Sequence, residues 1–126
     1  MKEALLRCLA VGLAGSAGAL ARYFVALAFK PLNLRFPLST LLINLTGSLF
    51  LGWFLTYITG RNVSDTTRLA IGVGFVGAYT TFSTYMFESN KLLEDGAGIE
   101  AALNIVGSVI LGLLAVRLGI WLARAT

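Results

Sequence analysis

Gly72-Val73-Gly74-Phe75-Val76-Gly77-Ala78-Tyr79-Thr80-Thr81-Phe82-Ser83-Thr84-Tyr85 is the part of the chain best equipped for chemistry, although it holds no acid, base or thiol. Three glycines are followed by two adjacent threonines, and both residue types weaken helix continuity. Within an apolar stretch this predicts a helix broken near Gly77–Thr81, with backbone groups released at membrane depth. Released carbonyls suit a hard cation, whereas the N-terminal end of the following half-helix suits an anion. The competing reading is an unbroken, glycine-rich packing face. Phe82 and Tyr85 stand at i, i+3, so their rings lie along one side of the second half. Aromatic edges are positive, so edges turned into a pore contact an anion weakly; plain packing is the ordinary role of such a pair.

Polar residues recur in other apolar stretches. Thr40, Asn44 and Ser48 follow one another at i, i+4, i+8, with Gly52 continuing the line. Helical geometry puts them on one face, and the Asn44 amide can both donate and accept hydrogen bonds. Asn104, Ser108 and Gly112 repeat the spacing near the C-terminus. Each stripe reads either as one side of a wet path or as interhelical hydrogen bonding. Arg22 follows Gly15 and Gly18 within the first apolar run. It either reaches back to an interface or faces the interior as a fixed positive charge that attracts anions. No carboxylate lies in the stretches holding Arg22, Asn44 or Asn104, which favours passive conduction over proton coupling.

The elements that must carry these residues follow from composition. Of 126 residues, 57% are apolar and only 13% charged, and the mean hydropathy is +0.82. A soluble domain carries about a quarter charged residues, so most of this surface must face lipid. The lone Cys8 and the absence of histidine leave no disulfide framework, no cysteine metal cluster and no nucleophile–base pair, so an enzyme is not expected. The net charge of +4 lies at the segment ends and gives no support for nucleic acid binding.

Four runs are long enough for a hydrocarbon core, which needs roughly 20 apolar residues: about 5–29, 38–59, 69–87 and 101–123. The first is too long for a cleaved signal and contains Arg22. Lys30 to Pro37, Gly60 to Asp65 and Glu88 to Gly96 are polar breaks, with Ser64 or Asp65 as N-cap of the third span. The fold expected is therefore an all-α membrane protein, a single four-span unit over 1–126. Lys2, Arg7, Arg61, Arg68 and Arg124 lie on the side of the termini, against Lys30, Arg35 and Lys91 on the other. That bias weakly favours cytoplasmic termini and is compatible with insertion both ways. Four short spans enclose little interior, so an oligomer, most simply a dimer, is expected. Ala14 and Gly18, Ser48 and Gly52, and Ser108 and Gly112 are spaced for close helix contact, within a subunit or between subunits.

The run Gly77-Ala78-Tyr79-Thr80-Thr81-Phe82-Ser83-Thr84-Tyr85 resembles the signature of the Fluc (CrcB) fluoride channel family. Asn44-Leu45-Thr46-Gly47 and Gly18-Ala19-Leu20-Ala21-Arg22 resemble its other two marks, in the same order and over essentially the whole chain. The resemblance implies an antiparallel, dual-topology homodimer in the cell (inner) membrane, with the third helix broken mid-membrane. It implies two fluoride pores through which fluoride leaves the cell passively, protecting against its toxicity. It also implies a structural sodium ion at the dimer centre, held by main-chain carbonyls of Gly77 and Thr80. The pore phenylalanines correspond to Phe82 and Tyr85, and the second-span asparagine to Asn44. Ser83, Thr84 and Ser108 lie on the polar track, and Arg22 corresponds to the vestibule arginine. Thr40 and Asn104 complete the stripes assigned to the path.

Three departures stand out. Tyr85 replaces a usual Phe, Gly77-Ala78 replaces paired glycines, and Asn104 replaces a fourth-span tyrosine of some relatives. The alternatives are a small four-span, dual-topology multidrug exporter and a non-transporting assembly subunit. The first wants a carboxylate in the first span, where this chain has none, Glu88 lying at the end of the third. The second leaves both stripes unexplained.

Overall fold

The computed structural model describes every residue, Met1–Thr126, and is helical throughout. Helix α1 spans Lys2–Phe29, α2 spans Leu38–Tyr57 and α6 spans Gly98–Arg124. These three are long and apolar enough to cross a membrane. The third apolar run differs, because it is cut in two. Its first part comprises α3 (Asp65–Leu69), a π-helical stretch over Ala70–Val76 and the single turn α4 (Gly77–Tyr79). Its second part is α5, Phe82–Glu94. At about 1.5 Å per residue neither part covers a ~30 Å hydrocarbon core alone.

The element ends follow local chemistry. Ser64 is the N-cap of α3, its hydroxyl accepting from the Thr67 N–H at 3.1 Å. After α1 the chain makes one 3-10 turn, Lys30–Leu32, and leaves through Asn33 in the left-handed region, which asparagine tolerates. Arg35 donates to the Asp95 carbonyl at 3.0 Å and approaches Glu100 at 3.9 Å, tying the α1–α2 loop to the α5–α6 turn. At the opposite end Arg7 pairs with Asp65 at 3.5 Å, and the neighbouring Cys8 is exposed.

Two close helix contacts organise the bundle, and glycine makes each possible. α2 packs along α6, where a β-carbon on Gly52 would come within 2.5 Å of the Val116 carbonyl oxygen and one on Gly119 would collide with the Leu49 carbonyl. α1 packs on the π-helical stretch, where a β-carbon on Gly18 would collide with the Phe75 carbonyl and one on Gly74 would lie 2.7 Å from the Val11 oxygen. Gly18 and Gly52 are thus packing positions inside the subunit. Gly112 is not, since nothing of the subunit lies within 4 Å of its β position; within the subunit Gly119 carries the α6 contact.

The surface is far more apolar than that of a soluble domain, and the interior admits a few polar side chains. Only 17 of 126 residues are buried, and Thr40, Thr81, Ser89 and Asn104 are among them. Leu13, Phe24, Leu113 and Trp121 are all more than half exposed on α1 and α6. A surface of this kind is stable against lipid, not water.

Candidate functional site

The break sits at Thr80-Thr81, one residue pair inside the predicted Gly77–Thr81 window. Thr80 (φ −78°, ψ 159°) and Thr81 (φ −151°, ψ 120°) are both extended. In a continuous helix the Thr81 N–H would bond to the Gly77 carbonyl. Here it donates instead to Asn44 Oδ1 at 2.8 Å, while Asn44 Nδ2 donates to the Thr81 carbonyl at 3.0 Å. One side-chain amide of α2 therefore acts as a neighbouring strand would, satisfying both polar groups of a buried residue. No backbone bond outside the regular helices lands on the carbonyls of Gly77, Ala78, Tyr79 or Thr80.

The threonines finish the break with their own hydroxyls. Thr80 Oγ1 donates back to the Val76 carbonyl at 2.9 Å. Thr81 is the N-cap of α5, its hydroxyl accepting from the Thr84 N–H at 3.3 Å and donating to Thr84 Oγ1 at 3.0 Å. The guanidinium of Arg22 reaches the Thr80 carbonyl at 3.5 Å. Arg22 thus lies on the side of α1 that faces the broken segment.

Beside the break lies a cavity of about 310 Å³. Its wall includes Asn44 and Ser48 of α2, Thr80 and Thr81, Phe82 and Tyr85 of α5, and Ser108 of α6. The second-span stripe, the break and the aromatic pair therefore converge. Phe82 is 74% exposed, and its ring centroid is 5.9 Å from that of Tyr85 at an angle of 58°. Tyr85 is buried, and its hydroxyl donates to the Ile105 carbonyl of α6 at 2.8 Å. The extra oxygen of this tyrosine thus anchors α5 to α6.

Other expected site residues lie elsewhere. Asn104 is buried and donates to Ser89 Oγ at 2.9 Å, and Ser89 in turn donates to the Tyr85 carbonyl at 2.7 Å. It forms part of the α5–α6 seam and is not in the cavity wall, although Ser108 approaches it at 3.5 Å. Ser83 and Thr84 are exposed on the first turn of α5. Gly77 is exposed one turn before the break, with open space at its β position apart from Gly72 O at 3.8 Å.

Thr40 belongs to a second site. It donates to Glu88 Oε1 at 3.0 Å, and the other oxygen, Oε2, is the one buried side-chain polar atom without a partner. Glu88 lines a larger cavity of about 630 Å³ near the α1–α2 loop, together with Lys30, Arg35, Lys91 and Asp95. In the sequence Glu88 stands at the end of a span without a motif around it, and Thr40, at one end of a polar stripe, is the only residue that points toward it.

Three helices able to cross a bilayer, plus an interrupted one whose break borders a cavity, define a multi-pass helical membrane protein. Residues 9–120 match the model of the CrcB-like protein, Camphor Resistance (CrcB) family, and the chain belongs to that family. Among curated relatives it is 44% identical to the Fluoride-specific ion channel FluC of Chlorobium chlorochromatii over 117 residues, covering 92% of this chain and 91% of the relative. It is 42% identical to the protein of the same name from Idiomarina loihiensis over 127 residues, covering 100% and 98%. It is likewise 44% identical to that of Trichormus variabilis over 119 residues, covering 92% and 87%.

Proposed function

We propose that this chain is the subunit of a fluoride-selective channel, a transporter and not an enzyme, through which fluoride leaves the cell passively. The supporting comparison is the shared name of relatives matched over nearly full length. The single structural observation that carries the reading is the Asn44–Thr81 clamp beside a cavity walled by Phe82, Tyr85 and Ser108. A bare anion in hydrocarbon costs tens of kcal/mol by continuum estimates. A conducting path must therefore replace the hydration shell stepwise, with no site so strong that the ion stays. Asn44 keeps one amide hydrogen and one lone pair beyond its bonds to Thr81. With the Ser83, Thr84 and Ser108 hydroxyls it supplies neutral donors, and the Phe82 and Tyr85 edges supply weak ones. Thr40 and Asn104 flank the path, and Arg22 adds a fixed positive charge near its vestibule.

In this reading four crossings make one subunit, and two subunits of opposite orientation form the channel in the cell (inner) membrane, with two pores along the interface. The carbonyls of Gly77 and Thr80 are the oxygens that would hold a shared structural sodium ion. They are hard, neutral oxygens at a helix break, and the Arg22 guanidinium, 3.5 Å from the Thr80 carbonyl, would have to turn aside for a cation to bind there. Gly77 is exposed, so that a second copy can reach the site. Such a cation would join the halves and offset the repulsion between main-chain dipoles. Purified protein in liposomes is expected to release fluoride passively and to retain chloride. Equal loss of both anions, or none of either, would overturn the assignment.

A further inference from the structure

We propose that Gly47 is a positioning residue: its missing β-carbon forms the socket that seats the Thr80 γ-methyl and so fixes the direction of the backbone at the break. The inference rests on the break being part of the conducting site, as read above. Gly47 is buried on α2, three residues beyond Asn44. A β-carbon added there would collide with Thr80 Cγ2 and lie 3.3 Å from Tyr79 Cδ1.

Thr80 is poorly placed to turn aside. Its hydroxyl is bonded to the Val76 carbonyl at 2.9 Å, and a β-branched side chain has few χ1 alternatives. An added atom at Gly47 therefore displaces the Thr80 backbone itself. Thr81 must follow, although its N–H and C=O are held by Asn44 at 2.8 and 3.0 Å. α2 thus shapes the break from two neighbouring positions. Asn44 draws Thr81 in with two hydrogen bonds, and Gly47 admits Thr80 by leaving space. Gly47, Thr80 and Thr81 all border the 310 Å³ cavity, so the displacement reshapes its wall.

Thr80→Ser supplies the decisive partner, because it removes the colliding methyl and keeps the hydroxyl for Val76. Wild type, Gly47→Ala, Thr80→Ser and the double variant are compared as full-length protein, by fluoride efflux from liposomes and by thermal unfolding in detergent. Gly47→Ala is expected to cut efflux by about tenfold or more when residue 80 is Thr and by less than about threefold when it is already Ser, each measured against its own background. Wild-type efflux from Gly47→Ala overturns the proposal, and so does a double variant about tenfold or more slower than Thr80→Ser alone. Coupling in unfolding temperature without coupling in efflux also overturns it, leaving Gly47 a packing residue only. If Gly47→Ala does not fold, Thr80→Ser must restore folding or the socket is wrong. A wild type that passes no fluoride sinks the functional reading itself, and the Gly47–Thr80 contact is then judged by whether Thr80→Ser restores an unfolding temperature lowered by Gly47→Ala.

Discussion

Asn44 commits both ends of its amide to one residue, and this makes two substitutions there fail for different reasons. Asn44→Leu leaves the buried Thr81 N–H and C=O without partners, at about 1–3 kcal/mol each. It is expected to lower thermal stability sharply. Asn44→Asp keeps the acceptor but loses the donor, so a carboxylate oxygen faces the Thr81 carbonyl. A negative charge about 5 Å from a passing anion, at an effective dielectric of about 20, opposes it by roughly 3 kcal/mol, enough to cut flux over 100-fold. Fluoride efflux at the wild-type rate from Asn44→Asp would remove Asn44 from the path. Tyr85 makes the opposite case. Its hydroxyl points to Ile105 O, so Tyr85→Phe loses one neutral bond worth about 1 kcal/mol and leaves the cavity wall unchanged. Unfolding a few degrees earlier with efflux within about twofold is the expected result. A large gain or loss in efflux would mean that the hydroxyl meets the ion.

At the scale of the helices, contact is decided by where a single methyl group can fit. Gly52→Ala drives a carbon against the Val116 backbone, so α2 and α6 must separate. A loss of about 2 kcal/mol or more, or failure to assemble, is expected. Gly112→Ala meets nothing within 4 Å and should change the unfolding midpoint little. Similar effects from the two would refute the assigned α2–α6 interface. This contrast marks what was legible in the sequence. Apolar length gave the three long helices to within a few residues, and the glycines and threonines of the third run confined the break to Gly77–Thr81, at whose end it lies. Glycine spacing pointed to Gly18 and Gly52 but gave no sign of Gly119, since periodicity defines a face without saying what lies against it. The π-helical stretch around Gly72 and Gly74 carried no separate signal, because glycine weakens every helix type alike. Bonds between residues distant in sequence, such as Asn44 to Thr81, Thr40 to Glu88 and Asn104 to Ser89, depend on which helix neighbours which. Composition does not encode that.

Taken whole, the molecule shows a broad hydrocarbon surface and buries few residues, a surface suited to lipid and not to water. Two ion pairs lie at opposite ends of the bundle, Arg7–Asp65 at one and Arg35–Glu100 at the other. Cys8, next to Arg7 and exposed, is the only thiol in the chain. It therefore lies close to one boundary and far from the other. In sealed vesicles an impermeant maleimide should tag only copies whose chain ends point outward. Should both insertions be equally frequent, about half the protein is tagged before the vesicles are opened, and the rest after. Provided the thiol reacts once the vesicles are opened, complete tagging beforehand, or none, would mean a single insertion and would exclude an antiparallel pair. The lone sulfur is a compass needle already fixed in the native chain.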